Sequence, residues 1–233
     1  CHHHPKKSLF YDILLYLKQS IHKKIINKNI DYYLTPSENL TKLIGKTFKA
    51  EGRTLPNPVL LTNPFSDQKK LDYLLFVGRL EQEKGVLTLI KAFQKILEKH
   101  PTEHLKIVGS GSLKYELEKY VLQSKIENVT FEGNKNRKEL MKLYASAKFT
   151  IVPSEILESY GNVILESFAF GKTVIISDLL GIQNEVINSK CGLVFPHGNA
   201  EKLAEAIEKL LVEKELKKLL EENASNYVKS FSF

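Results

Sequence analysis

From Tyr73 onward, short, largely apolar runs alternate with longer stretches in which apolar side chains recur every three or four positions. The runs at 73–77, 105–108, 129–131, 149–152, 174–176 and 193–195 predict strands. Because most of them are apolar at adjacent positions rather than only at every second residue, both faces of their sheet are expected to be covered. The stretches 86–99, 112–124, 137–147, 160–170 and 183–189, followed by 200–211 and 215–227, predict amphipathic helices. This alternation predicts the α/β class, as a doubly wound, six-stranded parallel sheet of Rossmann-like form.

The first third of the chain has a different rhythm. Leu9, Ile13, Leu14, Leu17, Ile21 and Ile25 share one face of a helix expected over 8–28, with lysines opposite. A strand is expected at 30–34. In Thr35-Pro36-Ser37-Glu38, Thr35 reads as an N-cap and Glu38 as the partner that closes a capping box. A second strand is expected at 59–61, ending at Asn63-Pro64, and the polar stretch 66–72 reads as a linker. Two short strands cannot close a core, so this region is expected to be a partial second α/β domain. A chain that starts at Cys1 rather than Met reads as a fragment or a processed form.

Composition narrows the possibilities. At 233 residues and 42% hydrophobic, the chain can build one large or two modest cores. Its longest apolar runs are under ten residues, too short to span a bilayer, and no signal peptide is recognisable. Cys1 and Cys191 lie far apart, as expected of a disulfide-free cytoplasmic protein. The net charge of +7 suits anionic small molecules, anionic lipid or nucleic acid. Nucleic acid is not expected, since no basic patch is interleaved with aromatics. The lysine-bearing helix at 8–28 leaves peripheral contact with an anionic membrane, at the inner face, open. No metal site is expected: the Cys1–Pro5 run CHHHP has no second ligand cluster to complete it, and there is no Asp-x-Asp, His-Glu-x-x-His or P-loop.

Three stretches carry candidate chemistry. In SEILESYGNVILESFAFGKTV, Glu158 and Glu166 are separated by seven residues. Glu158 falls in the loop after one predicted strand and Glu166 on the following helix. Between them the backbone around Tyr160, Gly161 and Asn162 opens a helix, where an anion is favoured. Two carboxylates flanking a phosphate cradle are what a sugar on a nucleoside diphosphate requires. In VGRLEQEKG, Gly78, Arg79 and Lys84 occupy a strand-to-helix loop, and two cations there would hold a diphosphate. Gly109-Ser110-Gly111 also follows a strand, and Glu132 lies where a ribose-binding acid would sit. Lys114 stands at the third position of the glycine fingerprint, so nicotinamide binding is not expected. These glycines predict a tight turn or a close backbone approach to a ligand. Asp178, Gly181 and Glu185 fall after the fifth of these strands, as helix caps or as pocket lining.

VGRLEQEKG, the 109–112 loop, SEILESYGNVILESFAFGKTVI and LLGIQNEVI together resemble the nucleotide-sugar half of the group 1 glycosyltransferases, retaining enzymes of GT-B fold. The resemblance extends over about 32–211. It implies transfer of a sugar from a nucleoside-diphosphate donor to a hydroxyl of a glycan or glycolipid, as in polysaccharide, lipopolysaccharide or glycolipid synthesis. The sugar nucleotide would be the substrate, and no cofactor would be needed. It implies catalytic roles for Arg79 and Lys84 at the diphosphate and for Glu158 at the sugar hydroxyls. It implies donor contacts from Gly78, Gly109, Gly111, Ser159, Tyr160, Gly161, Asn162 and Val163, with Glu166 on the ribose. It implies that 1–64 ends an acceptor-side domain, that 65–214 binds the donor, and that 215–233 packs back towards the first. Ser159, Asn162 and Leu180 depart from the family's usual residues. A non-catalytic sugar-nucleotide binder, or a GT-B enzyme of another class such as a nucleotide-sugar epimerase, remains an alternative.

Overall fold

The computed structural model describes residues 9–55, 57–58 and 73–229, the side chains of 9–17 and 19 excepted. The expected strand at 59–61 and linker at 66–72 lie outside the described residues. The chain divides into two compact units, Cys1–Pro56 and Asn57–Phe233.

The first unit contains α1 (Leu9–Asn29), β1 (Tyr32–Thr35), α2 (Glu38–Gly45) and β2 (Glu51–Thr54). β1 and β2 pair in parallel, Tyr32 opposite Glu51 and Thr35 opposite Thr54. The pattern concealed β2, since Glu-Gly-Arg-Thr has no apolar signal. The expected cap is corrected: Ser37, not Thr35, is the N-cap of α2, its hydroxyl accepting from the Leu40 N–H at 3.3 Å. Thr35 ends β1 and donates its hydroxyl to the Ser37 carbonyl at 3.0 Å. Glu38 is therefore the first helical residue and cannot close a capping box. Of the expected stripe on α1, the two residues with described side chains, Ile21 and Ile25, are 55% and 53% exposed.

The second unit is built on a six-stranded sheet. Its strands are β3 (Tyr73–Val77), β4 (Leu105–Val108), β5 (Val129–Gly133), β6 (Ala147–Val152), β7 (Val174–Ser177) and β8 (Gly192–Phe195). All neighbours are parallel, in the order β5-β4-β3-β6-β7-β8. All six expected strands are present. Successive residues point to opposite faces, and both faces are covered. Leu74 and Phe76 of β3 join one core with Val86, Leu89, Ile90 and Phe93 of α3 (Val86–Lys99). Tyr73 and Leu75 join another with Tyr144 of α5 (Arg137–Ser146). α4 (Lys114–Gln123) and α8 (Ala200–Val212) lie on the α3 face. α6 (Asn162–Ala169) and α7 (Gln183–Asn188) lie on the opposite face. The final helix, α9 (Lys214–Lys229), places Leu220 in the first of these cores and packs Ala224 and Val228 in a further cluster with α6. No described helix is long and apolar enough to cross a membrane.

The sheet order sets the position of the site. The chain leaves β3 for β4 and β5 on one side, then returns to β6 on the other. The loops after β3, β4 and β6 thus meet at the carboxyl edge where the order reverses, the usual binding crevice of an open α/β sheet.

Candidate active site

At that edge three cavities adjoin. The central one, of about 250 Å³, is lined by Gly78, Arg79, Lys84, Ser154, Glu158 and Asn162, among others, with Gly161 and Val163 at the start of α6. A second, of about 350 Å³, shares Gly78 and Arg79 and adds Gly109, Ser110, Asn134 and Lys135. A third, of about 140 Å³, shares Asn162 with the first and includes Glu166, Tyr144 and Arg137. The two glutamates line different cavities that meet at Asn162, one turn before Glu166. The Asn162 side chain also accepts a hydrogen bond from Asn57 at 2.7 Å.

The central cavity is electrostatically prepared. Lys84 Nζ donates to Glu158 Oε1 at 2.8 Å, and both side chains are only 20% exposed. Ser154 is buried; its hydroxyl lies against the same Glu158 oxygen and 3.1 Å from the Glu83 carbonyl. Arg79 pairs with Glu83 at 2.9 Å, but its guanidinium side chain is 67% exposed. Both expected cations therefore face the groove, each held by a carboxylate. Glu158 is fixed from behind as well: its N–H donates to the Leu179 carbonyl and its carbonyl accepts from the Gly181 N–H.

Backbone contacts hold these loops together. Gly85, the αL residue between the 3-10 turn Gln82–Lys84 and α3, has φ +65°. A Cβ there would lie 1.9 Å from the Pro153 carbonyl oxygen. Gly109, at φ +135°, would place a Cβ 1.9 Å from the Gly78 carbonyl oxygen. The close approach expected of the 109–111 glycines is thus to the β3 loop of the protein itself. Around them the Gly78 N–H donates to the Val108 carbonyl and the Leu80 N–H to the Ser110 carbonyl.

Where a dinucleotide fold would place a pyrophosphate, before α4, this protein places its own carboxylate. Glu81 accepts from the Ser112 N–H at 2.9 Å and from its hydroxyl at 2.5 Å. The Ser112 hydroxyl, with its N–H, holds the Glu81 carboxyl below the usual carboxylate range. Glu132 is likewise committed, to Lys106 at 2.8 Å and Lys135 at 3.0 Å. The Lys106 hydrogen bond, ahead of that from Lys135, keeps its pKa low.

Several expected donor residues lie outside the cavities. Gly111 packs against the Leu80 backbone and Ser159 against Gly181. Tyr160 is 2% exposed and turned into the core, near Tyr227, Glu185 and Cys191. Burial raises its hydroxyl pKa to about 12. It cannot present its ring to a ligand, and α6 begins two residues later, at Asn162, rather than at Tyr160. Asp178 binds His197, accepting from its backbone N–H at 2.9 Å, and Gly181 packs against the Glu158 and Ser159 carbonyls. Tyr144, Ser154, Glu83, Asn134 and Lys135 were not expected at the site. Tyr144 and Ser154 carry no local signal, one standing on a helix and the other in a loop. Among the described residues, no group of three or more His, Cys, Asp or Glu gathers as a metal site would require.

Residues 63–227 match the family described as glycosyl transferases group 1. The chain is 35% identical over 164 residues to an uncharacterized glycosyltransferase of Methanocaldococcus jannaschii, an alignment covering 70% of this chain and 41% of that protein. Sucrose-phosphate synthase from Thermosynechococcus elongatus superposes with a TM-score of 0.78 at 26% identity, over 93% of this chain and 57% of that one. HepE of Anabaena, in complex with UDP, superposes with a TM-score of 0.81 at 18% identity, over 93% of this chain and 64% of that one. The expected fold, one half of a GT-B architecture, is the one these structures share. The chain spans about two fifths of the length of the curated relatives it matches.

Proposed function

The chain belongs to the group 1 glycosyl transferases, and from that premise we propose that its groove binds a nucleoside-diphosphate sugar and that the whole protein transfers the sugar, with retention, to a hydroxyl of a glycan or glycolipid. The observation that carries this reading is the arrangement of Glu158 and Glu166 in adjoining cavities that share Asn162. The diphosphate lies in the central cavity, against Lys84, Arg79 and the start of α6, where backbone N–H groups favour an anion. The sugar lies at Glu158. The ribose lies at Glu166 in the small cavity, and the base between the 109–110 loop and Asn134–Lys135.

The chemistry follows from charge. As the bond between the anomeric carbon and phosphate oxygen breaks, positive charge develops on the sugar and negative charge on the leaving diphosphate. Lys84 and Arg79 meet that negative charge. Their present partners, Glu158 and Glu83, keep both cations positioned until phosphate oxygens take their place. Glu158, next to Lys84, then faces the sugar, where a carboxylate favours the developing positive charge. Positioning of donor and acceptor supplies the rest. Acceptor attack on the face that the phosphate leaves gives retention. The leaving group is held by side-chain and backbone charge, without a metal. The protein acts at the inner face of the membrane when its acceptor is a glycolipid.

Calorimetric titration with uridine, adenosine and guanosine diphosphates tests this. At least one is expected to bind, with the same affinity in EDTA as in magnesium. Binding that needs the metal would overturn the metal-free holding of the diphosphate. Absence of binding by all three would overturn the donor assignment.

A further inference from the structure

Glu166 does not stand alone in the small cavity. Tyr144, on the last turn of α5, donates its hydroxyl to Glu166 Oε2 at 2.7 Å. The tyrosine is 1% exposed and its ring stacks on Phe170 at 5.9 Å between centroids, with 14° between planes. Its core neighbours include Tyr73, whose own hydroxyl ties the Leu143 carbonyl of α5 at 2.9 Å. α5 itself starts from a complete capping box between Asn136 and Glu139. The hydroxyl is therefore fixed by the fold and not by the ligand. Burial, followed by the adjacent Glu166 charge, keeps its pKa well above 10, so it remains a donor throughout the neutral range.

We propose that Tyr144 is a positioning residue for the donor: its hydroxyl holds one oxygen of Glu166 so that the other faces the ribose hydroxyls before the ligand arrives. This inference rests on the ribose assignment made above. A phenol has one proton to donate, and here it goes to Glu166. Oε1 has no protein donor among the described residues, so it is the oxygen left for a ligand. A glutamate side chain has much rotamer freedom to lose on binding. A buried donor that fixes it in advance removes that cost from the binding step. Tyr144 also lines the cavity with its ring, but its contribution runs through Glu166.

The test uses Tyr144→Phe, which keeps the ring and its stacking and removes only the hydroxyl. Titrations compare the tightest-binding of the three nucleoside diphosphates, its 2′-deoxy and 3′-deoxy counterparts, and inorganic pyrophosphate. The ribonucleotide is expected to bind about 5- to 20-fold more weakly to Tyr144→Phe. The deoxy form that wild type binds worse should lose less, and pyrophosphate affinity should be unchanged. In a Glu166→Ala background the same change should have no further effect. Thermal unfolding checks that the variant is folded. Unchanged ribonucleotide affinity would overturn the inference and leave the donor assignment standing. So would an equal loss with pyrophosphate, or a loss that persists without Glu166, since either would mark Tyr144 as merely structural. If none of the diphosphates bound the wild-type protein, the donor assignment and this inference would fall together.

Discussion

In the full-length protein, Lys84→Ala is expected to lower kcat by about 10²- to 10³-fold, the usual cost of removing one preorganised group that meets developing charge. The substitution acts twice. In the proposed donor complex it would remove a cation that meets the leaving diphosphate, and it strands Glu158, 20% exposed, without its ammonium partner. Donor binding should weaken as well. Arg79→Ala should cost less, on the order of tenfold, because its guanidinium is 67% exposed and water screens what it offers. Lys84→Arg should restore activity only in part, since a planar fork replaces a compact ammonium. Steady-state kinetics over donor concentration, with folding checked by circular dichroism, decide the matter. A folded Lys84→Ala protein within twofold of wild type, or one outperforming Arg79→Ala, would remove the ammonium from the mechanism.

Gly85→Ala is expected to destabilise the second unit by roughly 2–6 kcal/mol. A non-glycine residue held at φ +65° costs about 1–3 kcal/mol in backbone strain. A Cβ 1.9 Å from the Pro153 carbonyl oxygen forces the β3 and β6 loops apart, which costs about 1–3 kcal/mol more. Gly198 provides the control: its φ is +66°, but nothing lies within 4 Å of its Cβ position. Gly198→Ala should thus cost only the strain, about 1–3 kcal/mol. The two positions share φ within a degree and differ in surroundings, so urea unfolding midpoints compare them directly. Gly85→Ala should also weaken diphosphate binding, because Pro153 leads into the loop that carries Ser154 and Glu158. Equal destabilisation by the two substitutions would show that the loops part without cost.

The strands were legible because continuous apolar runs report burial directly. Leu74, Leu75, Ile151, Val174, Ile175 and Ile176 are all fully buried, as their runs imply. The parallel sheet with helices on both faces follows from the same alternation. The segment bearing Glu158 and Glu166 was legible too, since its charges interrupt an otherwise apolar stretch at a strand end and on the next helix. Local competition limited the reading elsewhere. In Thr-Pro-Ser-Glu two hydroxyl residues could cap one helix; the pairing of β1 with β2 drew Thr35 into the strand and left the cap to Ser37. The strand Glu51–Thr54 exists through its backbone ladder with β1, a partner its own side chains do not announce.

The sequence by itself determined the alternation of elements, the order in which they follow one another and the placing of charged residues at strand ends, because burial is a property each segment records in its own composition. The tertiary structure decided which polar atoms meet. Lys84 reaches Glu158 across 74 residues, Glu81 reaches Ser112 across 31, and Tyr144 reaches Glu166 across 22. It also turned Tyr160 away from the groove and gave the helix start before α4 to Glu81. The first of these pairings arises because β6 returns to lie beside β3, bringing together loops that three strands and three helices separate in the chain; the second arises because β4 lies on the other side of β3. Hydrophobic burial is non-directional and can be read one segment at a time. A hydrogen bond needs two atoms within about 3 Å, and only the folded sheet sets that distance.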